Sequence, residues 1–135
     1  MITIFGTSII DRLFNASISA GYSAEAAAAM AATISYEGVG ADLIMFKGER
    51  QKRYLGFCTK NKINYRLPDS KIRYFFEELP SNRDYKASEL KYSQTVDAAV
   101  KTFNTNYLGK TLSATQLLTV VGLANEIYTI FVSNA

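Results

Sequence analysis

The chain contains no histidine. Ser-His-Asp and Cys-His catalysis and histidine-bearing zinc sites are therefore excluded, and acid–base chemistry falls to carboxylates. Most of these have an ordinary place. Glu25 sits in a first helical turn, where the dipole favours it. Asp97 belongs to an exposed turn of helix, Glu89 to the polar stretch before it, and Glu77 and Glu78 close a helix. Glu37 differs, because it ends a hydrophobic, alanine-rich run directly before Gly38-Val39-Gly40. Apolar neighbours and the negative end of a helix dipole both disfavour its charged form. A carboxylic acid kept protonated near neutral pH can donate its proton to a leaving glycosidic oxygen. The same residue also reads as a helix-end glutamate paired with a nearby Lys or Arg.

The elements that must position Glu37 are helical. At 135 residues, 48% of them hydrophobic and only two proline, the chain has the size and apolar content of one mainly α-helical domain spanning residues 1–135. A first helix is predicted over Ser8–Ala20, capped by Thr7, with Ile9, Ile10, Leu13, Phe14 and Ile18 inward and Gly21 in the left-handed position behind it. Ser23 caps the alanine-rich helix Ala24–Tyr36, with Met30 and Ile34 as its larger apolar residues. Its small side chains let neighbours approach closely, so it reads as the central helix. Residues 38–46 read as a short connection or a vestigial β-element. The Gly38-Val39-Gly40 triplet follows a helix rather than a strand, so it is no dinucleotide fingerprint.

A basic helix is predicted over Gly48–Thr59, with Tyr54, Leu55, Phe57 and Cys58 as its apolar side. The next, capped by Asp69 or Ser70, carries Ile72, Phe75, Phe76 and Leu79 at helical spacing and stops at Pro80. Another covers Ser93–Tyr107, with Val96, Val100, Phe103 and Tyr107 on one face and Gly109 behind it. The last begins at the capping box Ser113–Gln116 and runs to Val132. It is apolar enough for a membrane span to be weighed. Thr115, Thr119, Gly122, Glu126 and Thr129, however, form one small-polar stripe, which a helix enclosed by protein with one wetter edge explains and lipid does not. No membrane span is therefore expected.

Cys58 is the only cysteine, so no intrachain disulfide can form, and it reads as a small buried hydrophobe. The net charge of +3 is uneven. Nine basic residues from Lys47 to Arg73 face only Glu49 and Asp69, leaving +7 there and −4 elsewhere. That surface suits a polyanion such as nucleic acid or an acidic wall polymer, or simple solvation. The N-terminus, Met-Ile-Thr-Ile-Phe-Gly, lacks the features of a signal peptide.

The segment from Gly21-Tyr-Ser-Ala-Glu to Ser-Tyr-Glu37-Gly resembles the opening of bacteriophage tail lysozyme domains, in which an alanine-rich helix leads to a catalytic glutamate. Leu43-Ile-Met-Phe-Lys-Gly-Glu-Arg50 with Tyr54-Leu-Gly-Phe-Cys58 is similar to that family's hydrophobic-x-Gln-Trp-x-Gly-x-Arg segment and its following Leu-x-x-Phe. Ile72–Leu79 resembles its Leu-x-Phe-x-x-x-Glu-Leu helix, and Ser93–Phe103 its Ser-x-x-x-x-Ala-Ala-x-x-Phe helix. The likeness is collinear from Gly21 to Tyr107. It departs from the family at Gly38, where Ser is usual, and at Met45-Phe46, where Gln-Trp is usual. The interval between Glu37 and Met45 is also short.

The resemblance implies a lysozyme-like helical domain with a reduced or absent β-region. It implies cleavage of β-1,4 bonds in peptidoglycan, hydrolytic or transglycosylating, with Glu37 as general acid and no cofactor or metal. Asp42 and Glu49 are candidates for a second carboxylate. Tyr36, Phe46 and Tyr54 are candidates to line a sugar groove, although core packing suits each of them too, and Arg50 to orient the acid or a substrate carboxylate. The partners implied are peptidoglycan and phage tail or baseplate proteins, with localisation in the virion tail or, before assembly, the host cytoplasm. A non-catalytic virion structural or interaction protein of the same descent is the alternative. A small nucleic-acid binder is disfavoured, since it needs exposed aromatics among its cations and the aromatics here read as core.

Overall fold

The computed structural model describes residues 7–37 and 46–133, without the side chains of Thr7, Ser8, Ile9, Glu37 and Ser133. Among the described residues seven α-helices follow one another: α1 (Thr7–Ser19), α2 (Ala24–Glu37), α3 (Glu49–Asn61), α4 (Pro68–Glu78), α5 (Ala87–Lys91), α6 (Val96–Thr102) and α7 (Ala114–Ser133). Two short 3-10 turns, Leu79–Ser81 and Arg83–Tyr85, link α4 to α5, and a π-helical turn, Phe103–Tyr107, extends α6. No strand occurs among these residues, so the protein is mainly α-helical as expected.

The alanine run sets the centre. Ser23 Oγ accepts the Ala26 amide at 3.1 Å and caps α2. From Ala26 to Ala32 every residue is at most 1% exposed. A side chain of one carbon lets a neighbouring backbone come close, and α1, α6 and α7 all pack on α2, α7 most extensively. At α1 the inward face is Ile10, Leu13, Phe14 and Ser17, and Ile18 is 44% exposed rather than buried. The helical repeat brings position 17, not 18, under 10, 13 and 14. The Ser17 hydroxyl, buried there, donates to the Leu13 carbonyl at 2.8 Å. Gly21 takes φ +92, as the left-handed exit from α1 requires, and a Cβ there would stand 2.9 Å from Lys91 Cε.

Tyr54 and Cys58 of α3 and Tyr74 of α4 form a second apolar cluster with Phe46, from the segment that leads into α3. Cys58 is buried, as read. Neither Asp69 nor Ser70 caps α4. Leu67 is the extended residue before it and Pro68 occupies its first turn, where a missing amide costs nothing. Ser70 Oγ instead donates to the Asn64 carbonyl at 2.6 Å. Ile72, Phe75 and Leu79 are buried as the periodicity predicts, and Tyr74 and Glu78 join them.

The expected Ser93–Tyr107 helix is shorter at its start and changes pitch at its end. Thr95 Oγ1 accepts the Ala98 amide and caps α6, and the Leu108 amide reaches back five residues to the Phe103 carbonyl. Val96, Val100, Phe103 and Tyr107 are all buried. The capping box of α7 is formed in both directions, Gln116 N to Ser113 Oγ at 3.1 Å and Ser113 N to Gln116 Oε1 at 3.0 Å. By length and composition α7 could cross a membrane. Here it docks one face on the core through Val120, Ala124 and Ile127, all 0% exposed. The stripe Thr115, Thr119, Gly122, Glu126 and Thr129 is exposed, together with Leu118 and Val132. α7 is thus a one-faced surface helix, less enclosed than its composition suggests.

Candidate functional site

Glu78 ends α4, where the helix dipole opposes a carboxylate, and is 5% exposed. Two residues from other elements make that position tenable. Arg50, in the first turn of α3, donates Nε to Glu78 Oε2 at 2.9 Å and Nη2 to Oε1 at 2.6 Å. Tyr107, closing the π-helical turn, donates its hydroxyl to Oε1 at 2.6 Å and accepts from Arg50 Nη2 at 2.6 Å. The guanidinium also lies 5.4 Å from the Phe46 ring centroid and 5.1 Å from that of Tyr107.

The electrostatics follow from this geometry. Burial pushes the Glu78 carboxyl up, but the Arg50 and Tyr107 hydrogen bonds and the Arg50 and Arg53 charges outweigh it, so its pKa falls below the ordinary carboxylate value. The Glu78 hydrogen bond drives Arg50 up, and burial followed by the Glu78 contact raises the Tyr107 phenol. Glu78 is ionised at neutral pH and fully engaged. It is a structural clamp joining α3, α4 and the π-helical turn, not a proton donor.

Above this clamp lies an open cleft of about 660 Å³. Arg53 comes from α3, Tyr74 and Glu77 from α4, and Asn82, Arg83 and Tyr85 from the connection to α5. Arg53, Glu77, Asn82 and Arg83 are exposed, and Tyr85 is held by an edge contact with Tyr107 at 4.9 Å.

Glu37 is the last residue of α2, and its side chain lies outside the described residues. So do Gly38, Gly40, Asp42 and Met45. Tyr36 is 41% exposed at the emerging end of α2. Phe46 and Tyr54 are 7% and 1% exposed and pack against each other with centroids 5.1 Å apart. The Tyr54 hydroxyl donates to the Tyr65 carbonyl at 2.6 Å. These two aromatics build core rather than an open groove, and Arg50 orients Glu78. Glu49 is exposed and pairs with Lys52 at 3.3 Å, one turn along the same helix. Sequence reasoning missed Glu78, Tyr107 and the cleft residues Arg53, Arg83 and Tyr85. One signal was available: Glu78 stands four residues after Tyr74 and three after Phe75, on the buried face of α4, whereas Glu77 does not.

No protein-family profile, curated protein or solved structure matches this chain.

Proposed function

We propose that this domain is a lysozyme-like component of a bacteriophage tail that cleaves β-1,4 linkages in peptidoglycan, with Glu37 as general acid. The observation that carries the reading is the course of α2. The helix is enclosed from Ala26 to Ile34, emerges at Tyr36, and ends on Glu37. A carboxyl there meets the negative end of the α2 dipole, which favours the protonated form. The collinear likeness to tail lysozyme domains supports the same residue. Tyr36 is the exposed ring next to it for a sugar face. Phe46 and Tyr54 pack in the second apolar cluster and Arg50 binds Glu78, so the sugar contact is assigned to Tyr36 alone.

Clearing of purified peptidoglycan suspensions tests this. Wild type lowers the turbidity, and Glu37→Gln loses at least about 100-fold in rate, the scale of a lost general acid. Failure of wild type to clear the suspension anywhere from about pH 5 to about pH 8 would sink the enzymatic reading.

One observation favours the non-catalytic alternative: Phe46, Tyr54 and Arg50 are committed to packing and to Glu78. On that reading the chain co-sediments with peptidoglycan or with tail proteins without lowering turbidity.

A further inference from the structure

We propose that the cleft between α3, α4 and the Arg83–Tyr85 turn is a binding site for a small zwitterionic ligand of the amino-acid or short-peptide class, with Arg53 and Arg83 taking its carboxylate and Glu77 its ammonium. The inference goes beyond glycan cleavage and does not rest on it. Arg53 and Arg83 are both exposed in the cleft, and among the described residues neither has a carboxylate within ion-pair distance. Guanidinium is the side chain best matched to a carboxylate, since its planar fork bonds both oxygens. The Oδ1 of Asn82 already accepts the Asp84 amide, which leaves its NH₂ group to donate.

Charge balance narrows the class. The lining carries Arg53 and Arg83 against Glu77 and Glu78, and Arg50 already neutralises Glu78 from behind. Glu77 is therefore the one exposed carboxylate of the lining, and it has no ion-pair partner among the described residues. A multiply charged phosphate would meet that carboxylate, whereas a molecule with one charge of each sign satisfies both ends. The volume, about 660 Å³, is that of a small-molecule site. Tyr74 and Tyr85 supply rings and hydroxyls along the walls, and both are fixed, Tyr74 in the second apolar cluster and Tyr85 against Tyr107. Walls that do not rearrange reduce the ordering cost of binding.

The test is an NMR titration of the whole chain with alanyl-alanine bearing free termini, with its N-acetyl and C-amide forms, and with inorganic phosphate. The free dipeptide should give saturable shifts at the amides of Ser81 to Tyr85. Acetylation, amidation, Arg83→Gln and Glu77→Gln should each weaken binding by about tenfold, the scale of one lost charged contact. Arg66→Gln, remote from the cleft, should leave it unchanged. All three substitutions are at exposed positions, and spectra unperturbed away from the changed residue report that the fold is intact. The proposal is overturned if no probe gives saturable shifts there, if phosphate saturates at lower concentration than the dipeptide, or if the blocked forms bind as well as the free one.

Discussion

Arg50 and Glu78 face each other as fork to fork, with two hydrogen bonds of 2.9 and 2.6 Å joining the start of α3 to the end of α4. The side chains are unequally covered, 30% exposed for Arg50 and 4% for Glu78. That asymmetry decides what each deletion does. Arg50→Ala leaves a buried carboxylate with the Tyr107 hydroxyl as its one remaining hydrogen-bond donor and the more distant Arg53 charge, and we expect a loss of about 2–4 kcal/mol in urea unfolding. Glu78→Gln leaves a guanidinium that can still reach water, and should cost less. The double change Arg50→Met with Glu78→Leu should recover part of the Arg50→Ala loss. Equal losses for the two single variants would contradict the asymmetry.

The same pair sets a pH dependence. The folded-state pKa of Glu78 lies below its unfolded value. Its ionised form therefore stabilises the fold above the unfolded carboxylate pKa, about 4.3, and that stabilisation disappears as pH falls through the folded value. Melting temperatures of wild type and Glu78→Gln should differ at about pH 7 and converge towards about pH 3. A gap that stays constant over this range would mean that Glu78 is not the titrating group.

How far the sequence carried these features depends on the range of the interaction. Local chemistry was legible. Ser23 and Ser113 cap the helices they were expected to cap, because a cap is decided within four residues. The face Val96, Val100, Phe103 and Tyr107 is buried, because one helical period is enough to define it. The five-residue α5 escaped notice, since it is too short to show a period. Arg50 and Glu78 are 28 positions apart, and only tertiary packing selects which cation meets the buried carboxylate. The cleft is harder still to foresee, because its walls come from three segments that no local pattern connects. Tyr54 and Phe46 were ambiguous for a related reason: the same ring suits a core and a sugar surface, and only the packing around Tyr74 decides.

The packing of α2 gives a third expectation. Ala28 and Ala29 are 0% exposed among closely approaching helices. Enlarging Ala29 to Leu must push a neighbouring backbone away or force strained rotamers, at about 1–3 kcal/mol or more. Ala24→Leu, at the half-buried start of the helix, should cost less than that. Thermal melts followed by circular dichroism separate the two, and equal melting temperatures would show the alanine run to be looser than its burial indicates.

Tyr36 and Tyr54 should behave in opposite ways. Tyr54 is enclosed and spends its hydroxyl on the Tyr65 carbonyl. Tyr54→Phe leaves that carbonyl without its donor and should lower stability by about 1 kcal/mol. The rate of peptidoglycan clearing per folded molecule should not change, because the ring stays in the core. Tyr36 is 41% exposed beside Glu37 and makes little of the core. Tyr36→Ala should leave unfolding within about 0.5 kcal/mol of wild type, the range of an ordinary surface change. On the glycan reading it should raise the substrate concentration needed for half-maximal clearing, since a stacking face has gone. Clearing that responds to Tyr54→Phe and ignores Tyr36→Ala would move the sugar surface to the α3 side of the molecule and away from the end of α2.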